Sequence, residues 1–139
     1  MPSSPGLGYP DGALPAYRHL TFDQVTDANR QRAQRWHPGF PDDDSWTLAD
    51  WSNAMCGEAG EAANVVKKLR RVEDGLVGRL DAPEMELRVM LGEELADVFL
   101  YLDLLATKAG LDLPAAIVRK FNMVSERQDF PERLPWWLP

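Results

Sequence analysis

The sequence predicts an all-α fold, a bundle of four to five helices, on three observations. Apolar residues recur at steps of three and four along four separate stretches. Helix start and stop signals bracket those stretches. No stretch alternates apolar and polar residues as a half-buried strand would, and no internal repeat is visible. With 139 residues, 45% of them hydrophobic, a single domain with a real core is expected.

Residues 1–20 are rich in proline and glycine and read as a flexible arm; residues 21–139 read as the domain. Thr21 is a natural N-cap for a first helix over Phe22 to Trp36, in which Phe22, Val25, Ala28 or Asn29, Arg32 and Trp36 share a face. His37-Pro38-Gly39-Phe40-Pro41 stops that helix. A second helix is expected from after Thr47 to about Arg71, its cationic end Lys67-Lys68-Leu69-Arg70-Arg71 suiting the negative end of the helix dipole. Glu73 to Leu80, with Gly75 and Gly78, should be a loop. Asp81, Pro83 and Glu84 form a start signal of cap, early proline and acid. The third helix then runs to about Ala109, with Gly110 as its stop and Leu87, Leu91, Leu95, Val98, Leu102 and Leu105 as its apolar stripe. Asp112 caps a fourth helix that has Pro114 early and ends near Gln128. Trp136 and Trp137 in the tail are expected to pack on the bundle or on a neighbouring subunit, because singly exposed they would be costly.

The net charge of −7 comes from 22 acidic and 15 basic residues, which argues against a phosphate-backbone binder with a basic face. No polymeric nucleic acid is therefore expected as partner. The single cysteine, Cys56, excludes an internal disulfide and reads as a small core residue. Met1 to Leu20 lacks the basic and apolar regions of a secretory signal, and no apolar run approaches membrane-spanning length. The expectation is a cytoplasmic protein without a membrane partner, in the host cytoplasm if the chain is phage-encoded.

Two acidic pairs concentrate the chemistry. Glu58 and Glu61 lie within Gly57-Glu58-Ala59-Gly60-Glu61, and Glu94 and Asp97 within Gly92-Glu93-Glu94-Leu95-Ala96-Asp97. Carboxylates at i and i+3 share a helix face, so two such helices side by side can point four carboxylates at one spot. Either the pairs are solvated acidic faces, or they hold a cation. Glu94 and Asp97 interleave with Leu91, Leu95, Val98 and Leu102, which leaves little polar width for a purely solvated face. An all-carboxylate donor set suits Mg²⁺ or Mn²⁺. Zinc would prefer His or Cys, and a di-iron bundle would want Glu-x-x-His, which His19 and His37 do not supply. Glu93 points about 100° away on an ideal helix. It is a supporting group, a base for water or a surface acid. Two glycines inside a helix, Gly57 and Gly60, call for close approach of another helix or of a ligand.

Glu58-x-x-Glu61 followed by Glu94-x-x-Asp97 and Tyr101 resembles the MazG-like all-α nucleoside triphosphate pyrophosphohydrolases, which include dCTP pyrophosphatases and dimeric dUTPases. Flanking blocks agree: Trp36-His37-Pro38, Asn64 with Lys67-Lys68-Leu69, and Lys120-Phe121-Asn122 to Ser125-Glu126-Arg127 with Phe130-Pro131. The stretch between Glu61 and Glu94 is longer than is usual in the family. The resemblance implies a MazG-like bundle assembled as a homo-dimer or homo-tetramer. It also implies hydrolysis of a (deoxy)nucleoside triphosphate to the monophosphate and pyrophosphate for nucleotide-pool control. Glu58, Glu61, Glu94 and Asp97 would be catalytic metal ligands for about two Mg²⁺ ions, with Mn²⁺ able to substitute. Tyr101, Lys120, Asn122 and Arg127 match family positions near the phosphates, and Lys68 lies two helical turns beyond Glu61. Trp36 and Trp46 are pocket candidates for stacking on a base, Trp51 fits the helix core, and the Asn53 amide could read a base edge.

A purine such as dGTP or dATP is the expected substrate, because no loop supplies an obvious tight pyrimidine reader. The competing readings are a phosphoribosyl-ATP pyrophosphohydrolase-like enzyme and a non-catalytic helical interaction module.

Overall fold

A computed structural model of the chain describes residues 19–76, 78 and 82–135. These form four α-helices and no strand: α1 (Phe22–Trp36), α2 (Leu48–Glu73), α3 (Glu84–Lys108) and α4 (Leu113–Arg127). The expected arm over 1–20 lies almost wholly outside the described residues, as do Asp81 and the Trp136-Trp137 tail.

Local chemistry sets the helix ends. Thr21 and Gln24 form a reciprocal capping box at α1: the Gln24 amide donates to Thr21 Oγ1 at 3.2 Å and the Thr21 amide donates to Gln24 Oε1 at 2.9 Å. Thr47 and Asp50 repeat the device at α2, where the Thr47 amide donates to Asp50 Oδ2 at 2.8 Å. Asp112 caps α4 by accepting from the Ala115 amide at 2.9 Å. The start of α3 differs from expectation. Pro83 is itself the N-cap and makes no side-chain cap bond, so the proline sits one step outside the helix.

α2, α3 and α4 stop alike. After α3, the Gly110 amide donates to Thr107 O and the Leu111 amide to Ala106 O, with Gly110 at φ 66°. Gly75 closes α2 by the same pair of bonds, at φ 69°. This is the Schellman arrangement, in which a left-handed residue satisfies the last carbonyls. α4 ends identically on Asp129, a non-glycine residue at φ 56°.

α2 packs along α3, and α1 packs against α3. The core lies at the C-terminal end of α3, where Ala33, Phe40, Trp51 and Leu104 are buried together with Trp46, Tyr101 and Leu105 packed on them. The expected apolar stripe of α3 is only partly inside. Leu87 is buried, but Leu95 is 55% exposed, and the inward residues near the C-terminus are Asp103, Leu104 and Ala106. The reason is that α1 covers only part of α3, so the buried face is set by that neighbour and not by hydrophobicity alone. Gly57 and Gly60 also depart from expectation. A Cβ at either would meet nothing within 4 Å, so no neighbouring helix of the protomer crowds them. Cys56, expected in the core, is exposed.

Candidate metal centre and adjoining pocket

The α2–α3 packing brings together three of the four paired carboxylates, leaving out Glu61, which was expected to converge with them. Glu58 on α2 and Glu94 and Asp97 on α3 each offer a carboxylate oxygen, and these oxygens lie within 4.8 Å of one another. Glu58 and Glu94 are half-buried, and Asp97 is exposed. The Glu58 carboxyl titrates above its ordinary value, first because burial disfavours its charge and then because Asp97, Glu61 and Glu94 repel it. Glu61 is exposed and stands outside the group of three, yet its charge is felt at Glu58. Glu93 is exposed and outside the group. Such a cluster of oxygen donors could hold a metal ion.

Asp97 also lines a pocket of about 380 Å³. Tyr101 follows Asp97 by one turn of α3, and Leu100 and Leu104 complete that wall. Opposite stand Arg32 and Trp36 from α1, His37 and Trp46 from the loop after it, and Trp51 from α2. The aromatic end is a connected cluster: His37 lies 5.0 Å from Trp46 and 5.3 Å from Trp51 between ring centroids, and Trp46 lies 4.7 Å from Trp51. Trp51 is 2% exposed, and its Nε1–H is buried without an acceptor among the described residues. The wall therefore carries an unspent donor, which buried polar groups seldom do.

Lys108 at the end of α3 holds the loop that supplies His37 and Trp46. Its ammonium donates to the carbonyl of Pro41 at 3.0 Å and to the carbonyl of Asp43, and lies 3.4 Å from an Asp44 carboxylate oxygen. Ser45 Oγ, 3.3 Å from His37 Nδ1, donates to Asp43 Oδ1 at 3.0 Å and ties the same loop to the pocket.

Of the sequence-expected residues, Trp36, Trp46, Asp97 and Tyr101 line the pocket; Asn53, Lys68, Lys120, Asn122 and Arg127 do not. Asn122 is engaged elsewhere: its amide donates to Leu134 O at 2.8 Å and its carbonyl accepts from Leu134 N at 2.7 Å. This clasp fastens the segment after α4 onto that helix. Sequence reasoning passed over Arg32 as a pocket residue, and gave Trp51 to the core alone although it serves both. The spacing of Arg32 and Trp36, one helical turn apart, was the available signal.

Fold and site together define an all-α protein with a carboxylate cluster opening onto an aromatic pocket. No protein-family model matches the chain. It is 36% identical over 94 residues to the Gene 37 protein of Mycobacterium phage L5, a match covering 67% of this chain and 77% of the phage protein. The chain belongs to the family of that phage protein. It is also 37% identical over 81 residues to dCTP pyrophosphatase 1 of Rattus norvegicus and, at the same identity and length, of Mus musculus. These matches cover 58% of this chain and 44% of each mammalian protein, so the chain spans less than half the length of those relatives and is distantly related to them.

Proposed function

We propose that the chain is a MazG-like, divalent-metal-dependent nucleoside triphosphate pyrophosphohydrolase, converting a (deoxy)nucleoside triphosphate and water to the monophosphate and pyrophosphate. The observation that carries this reading is that Asp97 belongs at once to the three-carboxylate group and to the aromatic pocket. A ligand with an anionic end and a flat apolar end fits that pairing, and a nucleotide has both. The distant relationship to dCTP pyrophosphatases supports the same reaction class.

In this reading Glu58, Glu94 and Asp97, with Glu61 beside them, hold Mg²⁺ or Mn²⁺. The bound ions would neutralise the triphosphate and polarise the attacking water. The chain's own residues bind and orient. Trp36 and Trp46 enclose the base, an aromatic face being worth about 1–3 kcal/mol per stacked base in single-strand binders. Tyr101 stands between the acidic and aromatic ends. Asn53, Lys68, Lys120, Asn122 and Arg127 enter as substrate contacts through the family resemblance alone. A purine deoxynucleotide, dGTP or dATP, is the base class expected from the sequence; the names of the mammalian relatives favour dCTP as the second candidate.

The test is incubation with each of the four dNTPs and Mg²⁺, with separate detection of pyrophosphate and orthophosphate. Pyrophosphate release that disappears in Glu94→Gln and Asp97→Asn is expected. Orthophosphate as the first product would overturn the reaction class, and full activity in both variants would overturn the site.

A further inference from the structure

We infer that Arg32 reads the base, selecting one that presents two adjacent hydrogen-bond acceptors. The inference rests on the nucleotide reading above. Arg32 lines the aromatic end of the pocket, its guanidinium carbon 5.9 Å from the Trp36 ring centroid. Its Nη2 donates to Asn29 Oδ1 at 3.1 Å. Asn29 is 2% exposed, and its amide nitrogen donates to Leu100 O at 2.9 Å and to Asp103 Oδ2 at 2.8 Å. With both acceptors on the nitrogen side, the carboxamide has one orientation, and its oxygen must face Arg32. Asp103 is 3% exposed and also accepts from Thr26 Oγ1 at 2.7 Å, so the anchor is itself fixed.

This arrangement positions the guanidinium without neutralising it. Asn29 is a neutral acceptor, and no carboxylate among the described residues forms an ion pair with Arg32. A guanidinium has five N–H donors, and the bond to Asn29 uses one. Phosphates belong at the other end, beside the carboxylates and their cations. The partner left for a fork at the aromatic end is the edge of the stacked base. Guanine offers O6 with N7, and cytosine offers O2 with N3. Adenine sets a donor beside its acceptors, and thymine separates its two carbonyls by an N–H. Arginine to the O6/N7 edge is the commonest specific pairing of a side chain with a base. The expectation of a purine is thereby narrowed to guanine, with cytosine sharing the same edge chemistry.

The test is calorimetric binding of dGMP, dCMP, dAMP, dTMP and 7-deaza-dGMP to the full chain and to Arg32→Gln and Arg32→Lys. The wild type should bind dGMP or dCMP about tenfold or more tightly than dAMP and dTMP, the scale of one bidentate pair. Arg32→Gln should lose that preference, its carboxamide matching adenine better than guanine or cytosine, and Arg32→Lys should weaken it. Weaker binding of 7-deaza-dGMP than of dGMP assigns the guanine edge, and equal binding with dCMP preferred assigns the cytosine edge. An unchanged preference in the variants, an equal loss for all four bases, or no binding of any monophosphate by the wild type would overturn the proposal. Because the readout is binding, a chain that shows this Arg32-dependent preference but releases no pyrophosphate would sink the reaction and leave the base reader standing.

Discussion

Glu58 is the residue whose state reports most directly on the acidic cluster. Burial and three neighbouring carboxylates hold its proton more tightly than in the unfolded chain. A carboxyl raised in this way contributes stability that is complete below its ordinary value of 4.5 and is lost as pH rises through the folded value. At neutral pH the metal-free protein therefore carries the full repulsion. Replacing Glu58 by Gln should raise the melting temperature of the metal-free protein at pH 7 by a few degrees. The same change should shrink the further rise that Mg²⁺ or Mn²⁺ gives the wild type, since a ligand that binds only the folded state stabilises it by mass action. Differential scanning fluorimetry with and without EDTA checks both. A metal-free Gln variant that melts below the wild type would contradict the repulsion argument.

At the scale of helices, the ends were legible and the faces less so. Thr21, Thr47, Gly110 and Asp112 act through bonds to residues within five positions, and such chemistry can be read from a short window. Asp50 shows how far that local chemistry reaches. Hydrogen bonds from the Thr47 side chain and backbone hold its carboxyl below the usual 3.8. The sign is opposite to that of Glu58: the capping box contributes above the unfolded value and is lost as pH falls through the lowered one. Thr47→Ala should therefore lower the melting temperature at pH 7, and the gap to wild type should narrow as pH falls from 3.8 through the lowered value. Thermal melts by circular dichroism from pH 7 to pH 2.5 measure it, and a gap independent of pH would count against the box. The face of α3 was misjudged because Leu95 and Leu104 look equally apolar in sequence, while α1 covers only one of them. The role of Arg32 was hidden for a related reason. Its anchor Asn29 depends on Asp103, 74 positions further along the chain, and no periodicity within α1 encodes that distance.

The whole protomer leaves apolar surface open on α3 and α4. Met85, Val89 and Leu95 on α3 and Phe121 and Met123 on α4 are each more than two-fifths exposed. Met85 and Val89 lie one turn apart on α3 and share a face that another copy of the chain could cover. We propose that this apolar surface joins copies of the chain as a homo-dimer or homo-tetramer. Light scattering after size exclusion should give two or four times the chain mass, and Leu95→Lys should shift it towards the monomer. A monomeric wild type would remove that reading. The acidic pairs were readable at this scale because each is a local pattern on its own helix and α2 packs directly along α3. The substrate wall was not, because it draws on α1, a loop, α2 and α3 together. No described helix is long and apolar enough to cross a membrane.

Helix α3 carries Glu94 and Asp97 near its middle, Leu100, Tyr101 and Leu104 along the pocket, and Lys108 at the end that holds the loop. One rigid rod thus serves as a ruler between the two ends of the site. Seven residues separate Asp97 from Leu104, about 10 Å at the rise of an α-helix. Loops elsewhere can lengthen or shorten without changing that gauge. A molecule that must touch both ends is measured by its span before any atom of its base is read.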